Sequence, residues 1–213
     1  MISTPTPELI GGHIALDLVN TVSWRLDNER RRDNLADFPA LAQWCNRVGL
    51  LDDAGTHELL TAASGHPRLA QQAWHDARVL REHLHELLTP LVDASEPPDT
   101  IVTPPALHNL LVDALARSDL TGKPMRWQLT AYRPADLPPL LALQVLDLLQ
   151  TPQLHLVRQC HDDSCGWLFL DRTRNHTRRW CSSTDCGNRD RARRHYARHR
   201  DQTPPKPRTT GTQ

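Results

Sequence analysis

Long apolar runs are missing from this chain. No stretch approaches the roughly 18 consecutive apolar residues of a membrane helix, and the first residues lack a basic-then-apolar leader pattern. The expectation is a soluble protein of the cytoplasm with no membrane partner. Aromatic residues are scarce at 5%, and hydrophobic residues reach only 38% of 213. That suffices for one medium domain with a lean core plus a small module. Residues 1–157 contain no phosphate-cradling glycine loop, no nucleophile–base pair and no carboxylate metal site, and the chain has no C-x-x-C redox pair. No enzyme is expected. Internal repeats are absent as well.

Net charge is also missing, but only in sum. Residues 158–200 hold eleven arginines against five aspartates, a net of +6, whereas residues 1–157 carry 12 basic and 19 acidic residues, a net of −7. An acidic body joined to a basic end suggests that the basic end meets a polyanion.

The pattern of the body is mainly helical. Ile14, Leu18 and Val22 fall four apart after Gly11-Gly12 and favour a helix, with a buried strand as the alternative for so short a run, and the charged stretch Arg25–Asp33 reads as an exposed loop. Leu41, Trp44, Cys45 and Val48 share a helical face that stops at Gly49. Asp53 to Ala63 follows as a helix. Pro67 opens a long one carrying Ala73, Ala77, Leu80, Leu84, Leu87 and Leu91, and Ala106–Arg117 forms another. Met125–Tyr132 alternates and reads as a strand; Leu137–Leu149 is apolar on most sides and reads as a buried helix. The fold class is therefore α+β, with a helical domain over 8–153, a small module over 154–200 and a disordered tail over 201–213.

That module is set by its cysteines. Cys160-x4-Cys165-x15-Cys181-x4-Cys186 supplies two pairs of thiols, enough to close a tetrahedral Zn²⁺ site with no position left for water. One structural zinc is predicted; His161 or His176 in place of one cysteine, or free thiols, are the alternatives. Gly166 and Gly187 suit the tight turns such pairs need. Cys45, on an apolar face, reads as a core residue. Trp167–Asp171 reads as a strand returning through Arg178–Trp180, and a helix without proline or glycine runs from Asn188. Knuckle, hairpin and helix together describe a treble-clef finger. Arg172, Arg174, Arg178 and Arg179 on the hairpin and Arg189, Arg191, Arg193, Arg194 and Arg198 on the helix are the candidate DNA contacts, because guanidinium forks match phosphate oxygens. A solvated helix that only aids solubility is the bland alternative.

Cys160–Phe169, the run Asp171-Arg172-Thr173-Arg174-Asn175, Arg178–Ser182 and Cys186-Gly187-Asn188-Arg189 closely resemble the CGNR zinc-finger family. Gly11-Gly12 with Leu16-Asp17-Leu18-Val19-Asn20-Thr21 resembles the opening of the ABATE domain, the usual N-terminal partner of that finger. The resemblance implies a bacterial stress-induced transcription regulator whose finger binds DNA. Thr173 stands where the family usually has serine and keeps the hydroxyl.

Asp17 and Asn20 are polar residues in an apolar run and must find partners. They are read either as a structural network or as the floor of a pocket for a small ligand. Three functions are carried forward: a transcriptional regulator whose acidic domain senses a ligand or protein partner, a protein-interaction adaptor, and an RNA-binding protein with Trp167, Phe169, Trp180 and Tyr196 as stacking candidates.

Overall fold

A computed structural model describes residues 10–93 and 100–201. The tail expected over 201–213 lies outside these residues apart from Asp201, the last residue of the final helix.

The first helix, α1 (Ile14–Val19), begins where His13 accepts a hydrogen bond from the Ala15 amide and ends at Asn20. Val22 leaves it for a two-residue strand, β1 (Val22–Ser23), paired with β2 (Arg32–Asp33). Asp37 caps α2 (Phe38–Arg47) and Asp52 caps α3 (Asp53–Gly65), each accepting from an amide in the first turn, which offsets one orphan donor per helix. The long α4 (Pro67–Asp93) buries Ala70, Ala73, Ala77, Leu80, Leu84 and Leu88 along one stripe. It runs through the middle of the molecule, touching α1, α2, α3, α5 (Pro105–Ala116) and α6 (Leu137–Gln150). The expected apolar character of α6 is realised: nine of its residues are buried.

Three expectations change. The strand over 125–132 shortens to β4 (Arg126–Gln128), paired with β3 (Asp119–Thr121), and Trp127 is 43% exposed because this hairpin lies at the rim of the body. The loop from Arg25 to Asp33 is not simply exposed. Arg25 is 7% exposed and its guanidinium meets Glu82 of α4 at 2.5 Å, a burial made possible by the paired carboxylate. The hairpin of the finger also has a different partner. β6 (Leu168–Leu170) pairs antiparallel with β5 (Val157–Gln159), which precedes the first cysteine pair, and the residues 178–180 form no strand. The chain does return beside the knuckle, but through a single bond from the His161 amide to the Arg179 carbonyl.

The last helix, α7 (Cys186–Asp201), starts at the fourth cysteine. Leu156, Val157, Leu168 and Leu170 belong to the same buried cluster as Leu16, Leu80 and Leu141, so one hydrophobic core runs across the boundary expected near residue 153. A smaller cluster gathers the four cysteines around Phe169, with Trp167 and Trp180 at its edge. No described helix is long and apolar enough to cross a membrane.

Candidate metal centre and basic surface

The sulfurs of Cys160, Cys165, Cys181 and Cys186 all lie within 4.8 Å of one another and are buried. Cys165 and Cys181 are 3.7 Å apart and Cys181 and Cys186 3.4 Å. A tetrahedral zinc with bonds near 2.3 Å sets its sulfurs about 3.8 Å apart, so the constellation fits the ion. Hydrogen bonds from Cys165, Cys181 and Cys186 pull the Cys160 thiol far below its usual range, while contact with Cys160 drives Cys165 and Cys181 far above theirs. A zinc ion favours the thiolate form of the cysteines that bind it. One zinc ion, held by these four thiolates, follows; neither His161 nor His176 belongs to the cluster.

The backbone explains the spacing. The Cys160 amide donates to the Trp167 carbonyl at 2.8 Å and the Cys165 amide to Asp162 at 2.9 Å, which curls the first pair back on itself. Gly166 takes φ +70, and a Cβ there would sit 2.9 Å from Leu26 Cγ, so both conformation and space require glycine. Gly187, by contrast, lies in the first turn of α7 rather than in a left-handed turn; it gives room to the Trp180 ring and the Arg191 guanidinium. Cys45, on α2, is fully buried in the core of the body and does not belong to this cluster, and burial pushes its thiol up to about 12.

The arginines divide into two groups. Arg189 turns inward: it donates to the Cys186 sulfur at 2.8 Å and to buried Asp162 at 3.1 Å, pairs with Asp185, and lies 4.4 Å from the centroid of the Trp24 ring. Its place is over a zinc thiolate. Arg178 also faces inward, stacked 4.2 Å over Phe169 and bonded to the Trp180 and Cys181 carbonyls. Arg193 is shared among Asp162, Asp163 and Asp190, and Arg194 pairs with Asp190 at 2.9 Å. Arg172, Arg174, Arg179, Arg191 and Arg198 are exposed and have no carboxylate partner among the described residues. Arg179 and Arg191 flank Trp180: the first lies 5.2 Å from its ring, and the second borders Gly187 beside the same ring.

Asp171, fully buried, fixes the loop that carries two of the exposed arginines. It accepts from the Thr173 amide and hydroxyl at 3.0 and 2.5 Å and from the Arg178 amide at 2.9 Å. The threonine thus performs the hydroxyl role expected of it. Burial opposes ionisation of Asp171, yet these donors hold its carboxyl below the usual range.

Asp17 and Asn20 are satisfied within the protein. The Asn20 side chain donates to the Leu168 carbonyl at 2.8 Å and accepts from the Leu168 amide at 2.9 Å, which clips the end of α1 to β6. Asp17 accepts from the Gly11 amide at 2.9 Å, and a Cβ on Gly11 would stand 2.8 Å from that of Leu16. Burial pushes the Asp17 carboxyl up to about 6, against backbone bonds that lower it. The structural network accounts for both residues, and a ligand is not needed to satisfy them. Trp24, Arg25 and Asp162 were not legible as participants: the first two lie in a charged loop, and the aspartate resembles any polar residue of a knuckle.

Comparison with known proteins accords with this architecture. No curated protein matches the chain. A family model described as "Putative stress-induced transcription regulator", ABATE, matches residues 12–152, and the CGNR zinc-finger model matches residues 157–199. The helical body lies within the first match and the four cysteines with Arg189 lie within the second, and the chain belongs to the ABATE family, with a C-terminal CGNR zinc finger.

Proposed function

We propose that the protein is a DNA-binding transcription regulator, with a treble-clef finger as its DNA-contacting part and the helical body as its regulatory part. The observation that carries the reading is the outward group of arginines on a zinc-fixed module. Two more arginines hold the module together and two are neutralised by aspartates, yet Arg172, Arg174, Arg179, Arg191 and Arg198 are each exposed to solvent. Counting the zinc and its four thiolates as −2 lowers the +6 of residues 158–200 to about +4, still opposite in sign to the body. Guanidiniums without carboxylates favour a phosphate backbone, where they release counterions.

Titration of a labelled duplex with the zinc-loaded protein tests this. Three to five phosphate contacts give a log–log salt slope on the order of −3 to −5. Arg191→Ala with Arg198→Ala should flatten the slope by roughly 2 while zinc content stays at one per chain. A duplex affinity indifferent to salt and to these substitutions sinks the DNA reading. Preference for single-stranded RNA, or retention of an acidic protein alone, would reassign the same surface.

A further inference from the structure

A bowl of about 680 Å³ opens between the loop after α1 and the middle of α4. Its floor is Val22 and Val79, and its rim includes Asn28, Arg31, Arg78 and His83. Asp33, Arg81 and Glu82 complete its lining as a charged network. Asp33 receives both terminal nitrogens of buried Arg81 at 2.8 Å and the Arg78 Nε at 2.9 Å; Glu82 receives Arg81 Nε at 2.8 Å and Arg25 Nη1 at 2.5 Å. Two carboxylates therefore serve Arg25, Arg78 and Arg81, and Arg31 adds a fourth cation with no side-chain partner among the described residues. The outer nitrogens of Arg78 are likewise uncommitted, since only its Nε is bonded while its guanidinium lies 4.6 Å from the Trp74 centroid. Burial, with Arg81 and Arg31 nearby, lowers the Arg25 pKa below its ordinary value despite Glu82.

We propose that this bowl binds a small organic oxyanion, its carboxylate or phosphate between Arg31 and Arg78 and its apolar body on Val22 and Val79, and that occupancy is transmitted to the zinc finger. The site deepens the regulatory reading of the body and rests on it only for its biological sense. A cavity of this size with an apolar floor and a few convergent charges is what small-molecule sites are built from. An anion supplies the counter-charge the carboxylates do not.

Two short routes lead from the bowl to the metal. Val22, on the floor, accepts from the Trp167 indole at 2.9 Å. Glu82, on the wall, holds Arg25, whose amide donates to the carbonyl of the zinc ligand Cys165 at 3.0 Å. Any movement of the 22–33 loop on binding thus pulls directly on the first zinc knuckle.

Calorimetric titration of the zinc-loaded full chain with phenyl phosphate, and with inorganic phosphate as the same oxyanion without an apolar body, tests the proposal. Both should bind saturably, phenyl phosphate more tightly. Arg31→Ala, a change at an exposed side chain, should weaken phenyl phosphate roughly tenfold, the worth of one charge-assisted contact; Arg78→Gln should do the same. Arg191→Ala with Arg198→Ala, which removes exposed cations of the finger, should leave the titration unchanged. Bound phenyl phosphate should also change the rate at which a chelator takes zinc from the wild type but not from Arg31→Ala. No saturable binding, equal binding by Arg31→Ala and wild type, or loss of binding in the finger variant would each overturn the site. A zinc-release rate blind to phenyl phosphate overturns the transmission. None of these outcomes depends on duplex binding, which is read separately.

Discussion

The side-chain amide of Asn20 grips the backbone of Leu168, 148 residues away, with one bond given and one received. Amide meets amide as in a strand ladder, so the end of α1 acts as a third edge for β6. Asn20→Ala would leave a buried N–H and a buried carbonyl unpaired, at a cost of about 2–4 kcal/mol. Urea unfolding should show that loss. Release of zinc should quicken at the same time, because β6 follows directly on the first cysteine pair. A variant of unchanged stability would mean that water replaces the amide there.

The metal prediction is a stoichiometry. Purified protein should carry one zinc per chain, and Cys181→Ser should abolish it, whereas Cys45→Ala should leave it intact at a modest stability cost. Chelation should melt more than the finger, since Leu168 and Leu170 sit in the core of the body. Circular dichroism and near-ultraviolet tryptophan signals followed during chelation check both points.

For the same reason a truncation after residue 153 removes part of a shared core. Leu156, Val157, Leu168 and Leu170 are each less than 10% exposed in the whole chain. The sequence pattern predicts that the body folds alone; the packing predicts that it then melts at a lower temperature and binds a hydrophobic dye. Equal melting temperatures for the truncated and full chains would show that the core does not depend on the finger.

Arg189 separates support of the metal from contact with DNA. Its bond to the Cys186 sulfur and its pairing with Asp162 are outer contacts of the zinc site, and losing such contacts typically weakens metal binding about 10–100-fold. Arg189→Ala should therefore lower zinc affinity in a chelator competition, with any loss of duplex binding following from that. Arg189→Lys keeps the charge but not the fork and should recover only part. An Arg189→Ala protein with wild-type zinc affinity would return this residue to the DNA surface.

Stability should carry a mark of Asp17. Its folded pKa of about 6 lies above that of an ordinary aspartate, so the contribution is full at low pH and is lost as pH rises through 6. Asp17→Asn can still accept from Gly11 but never ionises. The stability of Asp17→Asn relative to wild type should accordingly improve by about 1.5 kcal/mol between pH 5 and pH 7.5. Parallel curves for the two proteins would show that Asp17 titrates normally.

Local spacing determined a good deal of this protein by itself. The four cysteines, the helical stripe through Ala73, Leu80 and Leu84, the stop at Gly49 and the sign of charge at each end are all properties of neighbouring residues, and the structure keeps them. Arg189 and Arg191 look alike in the sequence, two positions apart on one charged helix. Only the tertiary structure sent the first onto a thiolate and left the second in solvent, because Trp24 and Asp162, 165 and 27 residues away in the chain, meet one side of α7 and not the other. The burial of Arg25 and the strand partner of β6 were likewise decided at a distance. A guanidinium can enter a core only where a carboxylate from another element waits for it, as Glu82 of α4 does, and no pattern within the loop records that carboxylate.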